Sequence, residues 1–197
     1  MIYILCGNCK SEILNDTVYS IEESDYTLYG KPTNLKIISY PMKCKNCGYL
    51  SYNIEEPSDL KTRKVITLKS YQDIIQTDMY DFLILSTLTT DKYKKFEYLL
   101  TQYYLTETKD ILYLVMDSWQ RCDIHKMDFD FIIYYLDLLR LNSYFDEANE
   151  ILLYIKKHLW FLLFFKNRRM LYKIIKTEQY LISLHNTNSY MISDISK

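Results

Sequence analysis

The chain contains very little alanine, glycine and proline. Among its 197 residues, alanine occurs once, at Ala148, and glycine and proline occur three times each. All six glycines and prolines lie within residues 1–57, so residues 58–197 contain neither. Because Gly and Pro are the strongest local signals for turns, their absence there favours helices joined by Asn, Asp, Ser and Thr turns. The composition therefore predicts a domain boundary near residues 57–65.

A net charge of either sign is also missing, since 24 Lys and Arg balance 25 Asp and Glu. This balance excludes a globally basic nucleic-acid-binding protein and an acidic solvating tail. Apolar residues make up 49% of the chain, which excludes a disordered protein. The longest strongly apolar run, residues 159–165, is far shorter than the about 20 residues that cross a bilayer. No targeting or transmembrane segment is predicted, and a cytoplasmic location is expected.

Four of the five cysteines form two Cys-x-x-Cys pairs, Cys6 with Cys9 and Cys44 with Cys47. Two residues between cysteines let one tight turn direct both sulfurs at one ion, and two such turns complete a tetrahedral set of thiolates. The spacing predicts one structural zinc bound by all four. Iron in a rubredoxin-like site is the alternative, because the same ligands accept it. A redox dithiol would need a βαβ context, and disulfides would need a secreted chain.

The surroundings of the cysteine pairs favour short strands. Gly48 follows the second pair, where a positive φ is useful, whereas Lys10 holds that place after the first pair and predicts a less regular turn. Runs of β-branched and aromatic residues predict strands over residues 2–5, 18–21, 35–40 and 49–54. A small antiparallel sheet carrying both cysteine turns is the expected assembly.

Helical periodicity is clear beyond the predicted boundary. An apolar stripe covers residues 129–139, residues 142–143 interrupt it, and a second stripe covers residues 148–159. Ser143, with Asp146 three residues later, matches a helix N-cap pattern. Similar stretches occur 40 residues earlier, at 99–105 against 139–145 for example. These patterns predict stacked antiparallel hairpins in the style of tetratricopeptide repeats.

A last helix is predicted over about residues 166–185. Its core-facing side is expected to carry Met170, Ile174, Tyr180 and Leu181. Together the patterns predict an α+β fold in which the strands and the helices lie in separate parts of the chain. A small N-terminal β zinc ribbon over residues 1–57 is followed by an all-α body of tetratricopeptide-like hairpins over residues 65–197.

A basic stretch over residues 151–177 contains no acidic residue and is interleaved with aromatic residues. Such a pattern is typical of a surface for nucleic acid, a membrane or an acidic partner, and equally of an ordinary solvated helix face. The candidate partner-binding residues are Lys156, Lys157, Lys166, Arg168, Arg169, Lys173 and Lys176.

A second polar patch surrounds Cys122 and His125, which lie three residues apart. Catalysis or a second metal would suit that pair, but a cysteine packed at a helix end is the simpler interpretation. His158 and His185 are expected at helix ends on the surface. The chain has no Gly-rich phosphate loop, His-Glu-x-x-His or Gly-x-Ser-x-Gly motif. No catalytic and no cofactor-binding residue is therefore assigned, and no enzymatic activity is predicted.

Several stretches resemble a group of uncharacterised bacterial proteins with an N-terminal CpXC-like zinc ribbon and a C-terminal tetratricopeptide-like region. The resembling residues are 44–49 in the second cysteine turn, 65–72 at the start of the helical part, 119–122, and 139–148 at a repeat turn. This chain has Gly7 where that family usually has Pro. The resemblance implies the same architecture and metal site, and it implies no reaction.

The function expected from the sequence is a cytoplasmic scaffold or protein-interaction module with a structural zinc ribbon and another protein as its partner. A nucleic-acid-associated factor that uses the ribbon and the basic stretch is the alternative. The ribbon itself has five basic and seven acidic residues, and zinc with four thiolates adds further negative charge, which disfavours phosphate binding. A third possibility is rubredoxin-like electron transfer by iron.

Overall fold

The computed structural model describes residues 2–15, 25–33, 40–75, 80–159 and 169–196. Its first part contains two short antiparallel hairpins, in which β1 (Ile2–Leu5) pairs with β2 (Glu12–Asn15) and β3 (Met42–Lys43) pairs with β4 (Leu50–Ser51). Each hairpin holds one Cys-x-x-Cys pair in its connecting turn. Both pairs of cysteines are therefore presented by the same kind of local structure.

The strands agree in part with the sequence patterns. The strand over residues 2–5 is confirmed, and the predicted strand over 49–54 is shortened to Leu50–Ser51. The single sheet expected to carry both turns is wrong, because the hairpins form two separate two-stranded sheets. The predicted strands over 18–21 and 35–40 lie outside the described residues, apart from Tyr40, which is not in a strand.

The second hairpin is short for local reasons. Pro41, which has no N–H to donate to a partner strand, immediately precedes β3. After β4 the chain turns at Asn53, whose carbonyl accepts from the N–H of Glu56 at 3.3 Å. The pairing of β3 with β4 is therefore only two residues long on either side of the cysteine turn.

Beyond the hairpins the described chain is mostly helical, which confirms an α+β fold with a helical body. None of the described helices is both long and apolar enough to cross a membrane. A 3-10 turn at Ile124–Lys126 precedes the helix at Phe129–Leu141, and a π-helical turn at Ile155–Leu159 follows the helix at Phe145–Tyr154. The nine α-helices found in the described ranges are α1 (Leu60–Ile66), α2 (Lys69–Ile75), α3 (Asp81–Leu88), α4 (Lys92–Thr106), α5 (Lys109–Gln120), α6 (Phe129–Leu141), α7 (Phe145–Tyr154), α8 (Arg169–Ser183) and α9 (Ile192–Ser196).

The lack of glycine beyond residue 57 affects how these helices end. Helices commonly end on a residue in the left-handed conformation, which glycine adopts most easily. Here residues with side chains adopt it: Glu107 after α4 (φ 48°), Ser143 after α6 (φ 67°) and His185 after α8 (φ 50°). Each of these helix ends therefore carries a strain of order 1 kcal/mol that glycine would avoid.

The hairpin of α6 and α7 is confirmed, but the predicted N-cap is wrong. Ser143 belongs to the end of α6, where its N–H donates to the carbonyl of Arg140 at 3.1 Å. The residue that precedes α7 is Tyr144, and its side chain makes no capping hydrogen bond. Because Ser143 is left-handed, it closes the first helix and does not cap the second.

The described chain divides into two compact units. The first unit comprises Met1–Ile21 and Ile38–Asp123, and the second comprises Glu22–Ile37 and Ile124–Lys197. The hairpin of α4 and α5 thus lies in the first unit and the hairpin of α6 and α7 in the second. The prediction that residues 1–57 and 65–197 form separate domains stays a prediction.

The loop between the two cysteine pairs crosses from one unit to the other. Its segment Glu22–Ile37 belongs to the second unit, where Leu28 and Tyr29 are buried. The N–H of Leu28 donates to the carbonyl of Tyr190 at 3.1 Å, and the N–H of Ile192 donates to the carbonyl of Tyr26 at 2.8 Å. The length of this loop is therefore explained by a structural role outside the cysteine turns.

The core of the first unit joins the cysteine turns to the first three helices. Cys6 and Cys44 belong to one hydrophobic cluster with side chains of α1, α2 and α3. The helical members of this cluster are Ile66, Tyr71, Ile75, Phe82, Ile84 and Leu85. The cysteine site and α1–α3 therefore share one core.

The second unit is built on the apolar faces of α6, α7 and α8. Ala148 and Leu152 of α7 are buried, as the predicted stripe requires. On α8, Ile174 and Leu181 are buried, whereas Tyr180 is 63% exposed. The prediction that Tyr180 faces the core is wrong, because the buried residues 174, 175, 178, 181 and 182 form the inner face of α8 and residue 180 lies on the opposite side of the helix.

Candidate metal centre

The structure brings the four cysteines of the first unit together. The sulfurs of Cys6 and Cys47 lie 3.8 Å apart, those of Cys9 and Cys44 lie 3.5 Å apart, and all four lie within 4.8 Å of one another. A tetrahedral ion with metal–sulfur bonds of about 2.3 Å requires sulfur–sulfur separations of about 3.8 Å. The donor set therefore fits a single tetrahedral metal ion. Zinc and iron both suit this geometry, and the spacing does not separate them.

The two cysteine turns have the same backbone. In the first, the N–H of Lys10 donates to the carbonyl of Cys6 at 2.9 Å; in the second, the N–H of Gly48 donates to that of Cys44 at 2.8 Å. Lys10 (φ 63°) adopts the left-handed conformation that Gly48 (φ 74°) adopts. The expectation of a less regular first turn is therefore wrong. Lys10 adopts the left-handed conformation despite its side chain, and the first turn keeps the hydrogen bond that the second turn makes.

This equivalence gives a paired prediction. Replacing Lys10, which is exposed, by Gly relieves the left-handed strain, and we expect the free energy of unfolding to rise by about 0.5–1 kcal/mol. Replacing Gly48 by Ala introduces the strain and places a Cβ 2.9 Å from Nε2 of Gln72, so we expect a loss of about 1–2 kcal/mol. Urea unfolding of the metal-loaded protein measures both. A destabilised Lys10→Gly variant would contradict the interpretation.

Gly7 has a role that proline could not fill. Its N–H donates to the carbonyl of Ile54 at 2.7 Å, which ties the first cysteine turn to the chain beyond β4. A Cβ at this position would overlap the backbone of Glu56. Proline has neither the N–H nor the space, so the departure from the CpXC-like pattern has a physical reason in this fold.

Two asparagines, which the sequence analysis did not single out, form a crossed pair of contacts to the sulfurs. Both cysteine turns read Cys-x-Asn-Cys, with Asn8 in the first and Asn46 in the second. The amide nitrogen of Asn8 lies 3.6 Å from the sulfur of Cys47, and that of Asn46 lies 3.6 Å from the sulfur of Cys9. Each asparagine thus donates to a cysteine of the opposite turn. The repeated Asn was a readable signal for this arrangement.

Removing both amides should weaken metal binding without removing a ligand. Partners around the ligands typically change metal affinity by about 10–100-fold, and we expect a loss in that range for the double variant Asn8→Ala/Asn46→Ala. Competition with a chromophoric chelator measures the affinity. Lys45→Ala, an exposed change in the same turn, is the matched control and should bind as the wild type does. Equal affinities for both variants would show that the amides only fill space.

The thiols differ in how readily they lose their protons. The hydroxyl of Ser11 lies 3.2 Å from the sulfur of Cys9 and lowers the pKa of that thiol to about 6. Burial raises the pKa of Cys44 to about 12 and also raises the pKa of Cys47. Four neighbouring thiolates, two of them fully buried, therefore need a cation beside them, which is what a divalent metal supplies.

Helix α2 holds the second cysteine turn in place. The hydroxyl of Tyr71 donates to the carbonyl of Gly48 at 2.8 Å, and the amide of Gln72 donates to the carbonyl of Cys47 at 3.2 Å. On the preceding strand, the ammonium of Lys43 donates to the carbonyl of Ile75, which ends α2, at 2.9 Å. The metal centre and α2 are therefore coupled through hydrogen bonds as well as through the shared core.

The predicted basic stretch is only partly within the described residues. Lys166 and Arg168, together with residues 160–165, lie outside them, and Arg169 begins α8. Lys156 and Lys157 are exposed in the π-helical turn. Lys173 and Lys176 line an open cleft of about 500 Å³ between α8 and the C-terminal segment. The other residues that line it are Tyr172, Thr177, Tyr190, Asp194 and Ile195.

The second polar patch does not form a metal site with the residues described. The thiol of Cys122 donates to the carbonyl of Ser118 at 3.4 Å, and burial raises its pKa. His125 instead contacts the last residue of α7 and a residue of the π-helical turn. Its Nδ1 lies 2.9 Å from the hydroxyl of Tyr154, and its ring packs edge-on against the ring of His158. Within the described ranges, the four cysteines are the one group of potential ligands close enough to share an ion.

Comparisons with models of protein families, with curated proteins and with solved structures find no match to this chain. The structure does contain the two features on which the family resemblance depends, a four-cysteine cluster near the N-terminus and a helical C-terminal body.

Proposed function

We propose that this protein is a non-enzymatic cytoplasmic scaffold or protein-interaction module whose first unit is organised by one structural zinc ion. The observation that carries the proposal is the closed four-sulfur set, in which Cys6 and Cys44 are 0% and 1% exposed and belong to the core of α1–α3. Four thiolates fill a tetrahedral ion and leave no position for water or a substrate. A metal held in this way stabilises a fold and offers no chemistry to a ligand.

The helices supply the surfaces that such a role requires. Large apolar side chains are exposed on several of them: Tyr113 and Leu114 on α5, Leu153 on α7, and Tyr180 on α8. Exposed apolar groups on helices are typical of surfaces that bind other proteins when they are contiguous. The proposal includes tetratricopeptide-like character for the hairpins α4/α5 and α6/α7, as in the bacterial proteins that the sequence resembles.

Capture of a partner tests the interaction role. The full zinc-loaded chain is purified from its native cell after mild crosslinking, beside a folded variant carrying Tyr113→Ser and Leu114→Ser. We expect a stoichiometric complex with the wild type, detected by light scattering and quantitative mass spectrometry, and a weaker one with the variant. A chain that is monomeric and alone under all conditions, or one that turns over a small molecule at an open metal position, would overturn the proposal.

A nucleic-acid-associated role is the second candidate, favoured by one observation. Four lysines of the predicted basic stretch are exposed, Lys156 and Lys157 in the π-helical turn and Lys173 and Lys176 on α8, and exposed cations are what neutralises phosphates. Binding of an oligonucleotide that falls steeply as salt rises would support it. Absence of binding at low salt would exclude it.

A further inference from the structure

We infer that the cleft between α8 and the C-terminal segment, the α8–α9 cleft, binds an acidic peptide segment of a protein partner. The segment carries at least one aromatic or long apolar side chain next to its carboxylates. This inference rests on the proposed interaction function and identifies where and by what chemistry one partner docks. The cleft is formed entirely by residues of the second unit.

The size and lining of the α8–α9 cleft suit a short peptide. Its volume of about 500 Å³ lies inside the range of about 300–1,000 Å³ that ligand pockets occupy. Tyr172, Tyr190 and Ile195 provide apolar area, and the two lysines, 173 and 176, supply positive charge. An apolar side chain of the peptide can pack against this apolar area, while its neighbouring carboxylates contact the two ammonium groups.

Hydrogen bonds within the second unit hold the C-terminal wall of the cleft in place. Buried Arg140 donates from Nη1 to the carbonyls of Asn186 at 2.6 Å and Asn188 at 2.9 Å, and thereby fixes the chain that leads to Tyr190. The amide of Asn186 also donates to the hydroxyl of Tyr190 at 3.1 Å. A wall that is already held by hydrogen bonds reduces the ordering cost of binding, so a short segment can reach useful affinity.

The charges favour an acidic peptide over nucleic acid. Lys173 and Lys176 against Asp194 leave the cleft with a net charge of +1, which suits a short peptide with few carboxylates and only weakly attracts a chain that carries one phosphate per residue. The second unit as a whole has twelve Lys and Arg against eleven Asp and Glu, so its net charge is +1. Nucleic acid binding draws its affinity from many cations that each neutralise a phosphate. The cleft offers only two lysines for this purpose.

The aromatic rings point to the same conclusion. The ammonium of Lys176 lies 5.8 Å from the centre of the Tyr172 ring, and the guanidinium of Arg140 lies 5.9 Å from that of Tyr190. Each ring thus has a cation over one face, which removes half of its surface for stacking with a base. Ring edges and the Ile195 side chain stay suited to an aliphatic or aromatic residue.

A displayed library of random ten-residue peptides, selected on the full zinc-loaded chain, tests the inference. We expect enrichment of peptides with two or more acidic residues next to an aromatic or long apolar residue. Labelled copies of these peptides, and twins in which amides replace the carboxylates, are then titrated by fluorescence anisotropy. The acidic peptides should bind at least about tenfold more tightly than their amide twins.

Two charge-matched variants show where the peptides bind. Lys173→Glu/Lys176→Glu reverses the charge of the cleft, whereas Lys156→Glu/Lys157→Glu makes the same change on exposed lysines of the π-helical turn. We expect at least tenfold weaker binding for the first variant and wild-type binding for the second, with unchanged circular dichroism for both. Equal losses in the two variants, no acidic enrichment, or tighter binding of an oligouridylate would overturn the inference.

Failure of this inference is distinguishable from failure of the proposed function. A native partner that the wild type and Lys173→Glu/Lys176→Glu capture equally would keep the interaction role and exclude this cleft. A wild-type chain that captures no partner at all would overturn the role itself.

Discussion

Replacing Cys44 by Ser is expected to unfold the four-cysteine segment together with α1–α3, while the second unit keeps its helices. Cys44 is 1% exposed and belongs to the cluster that contains side chains of all three helices. Structural zinc contributes about 10–16 kcal/mol to folding, as much as the whole stability of an ordinary domain. Loss of one ligand therefore removes more free energy than the shared core can replace.

Hydrogen exchange distinguishes the two units in that experiment. Peptides from residues 2–15, 40–75 and 81–88 should lose their protection, whereas peptides from α6 (Phe129–Leu141) and α8 (Arg169–Ser183) should keep it. Cys122→Ser removes the one cysteine outside the set and is the matched control, which should resemble the wild type. Protection lost throughout the chain would show that both units unfold as one. Unchanged protection would show that the cysteines are not structural.

Replacing Arg140 by Met is expected to lower the free energy of unfolding by about 3–5 kcal/mol. The Arg140 side chain is fully buried in the second unit, where it contacts the carboxyl groups of Asp137 and Glu178. Its Nε lies 3.0 Å from Oδ1 of Asp137 and 3.0 Å from Oε2 of Glu178, and its Nη2 also contacts Asp137. Removing the guanidinium leaves two buried carboxyl groups and the carbonyls of Asn186 and Asn188 without their donor.

Glu178→Gln is the matched control for that variant. Burial, together with the neighbouring Asp137, raises the pKa of Glu178 well above its ordinary value, and burial also raises the pKa of Asp137. Below the pKa of folded Glu178, its proton offsets the second negative charge beside Arg140. Glutamine keeps the size and the hydrogen-bonding groups of the protonated acid. We therefore expect a change of less than about 1 kcal/mol at any pH below the pKa of Glu178 in the folded state. A loss as large as that of Arg140→Met at every pH would show that Arg140 needs the charge of Glu178 and would contradict the raised pKa.

The raised pKa of Glu178 also fixes the sign of a pH effect. The folded state binds this proton more tightly than the unfolded state, so its stabilising effect is fully present below the ordinary pKa of Glu, about 4.3. That effect is lost as the pH rises through the pKa of the folded state. Wild-type stability should therefore decline with rising pH, and Glu178→Gln should remove that part of the slope. Urea unfolding at several pH values compares the two proteins.

The sequence was sufficient for the features that depend on local patterns. The spacing of Cys6, Cys9, Cys44 and Cys47 predicted one cluster, and the structure assembles it from two similar turns. Apolar periodicity predicted the α6/α7 hairpin, because a helix that packs on one side needs a stripe of that period. Readable signals were also missed, since the asparagine shared by both cysteine turns is visible in the sequence.

Features that depend on distant contacts could not be predicted. Nothing local marks Glu22–Ile37 as part of the second unit, because its partners Tyr190 and Ile192 come more than 150 residues later. Arg140 lies in the last turn of α6, where a cation is normally a solvated residue near the helix end. Its burial depends on Glu178, 38 residues away, and no pattern of spacing reports such a pair.

Metal analysis of the purified chain tests the central claim most directly. Elemental analysis should find one zinc per chain in a colourless protein, and X-ray absorption at the zinc edge should show four sulfur ligands at about 2.3 Å. Cys122→Ser should retain the metal, and Cys44→Ser should lose it. A coloured protein with one iron per chain, a zinc shell that contains oxygen, or a folded chain without metal would contradict a structural four-cysteine zinc site.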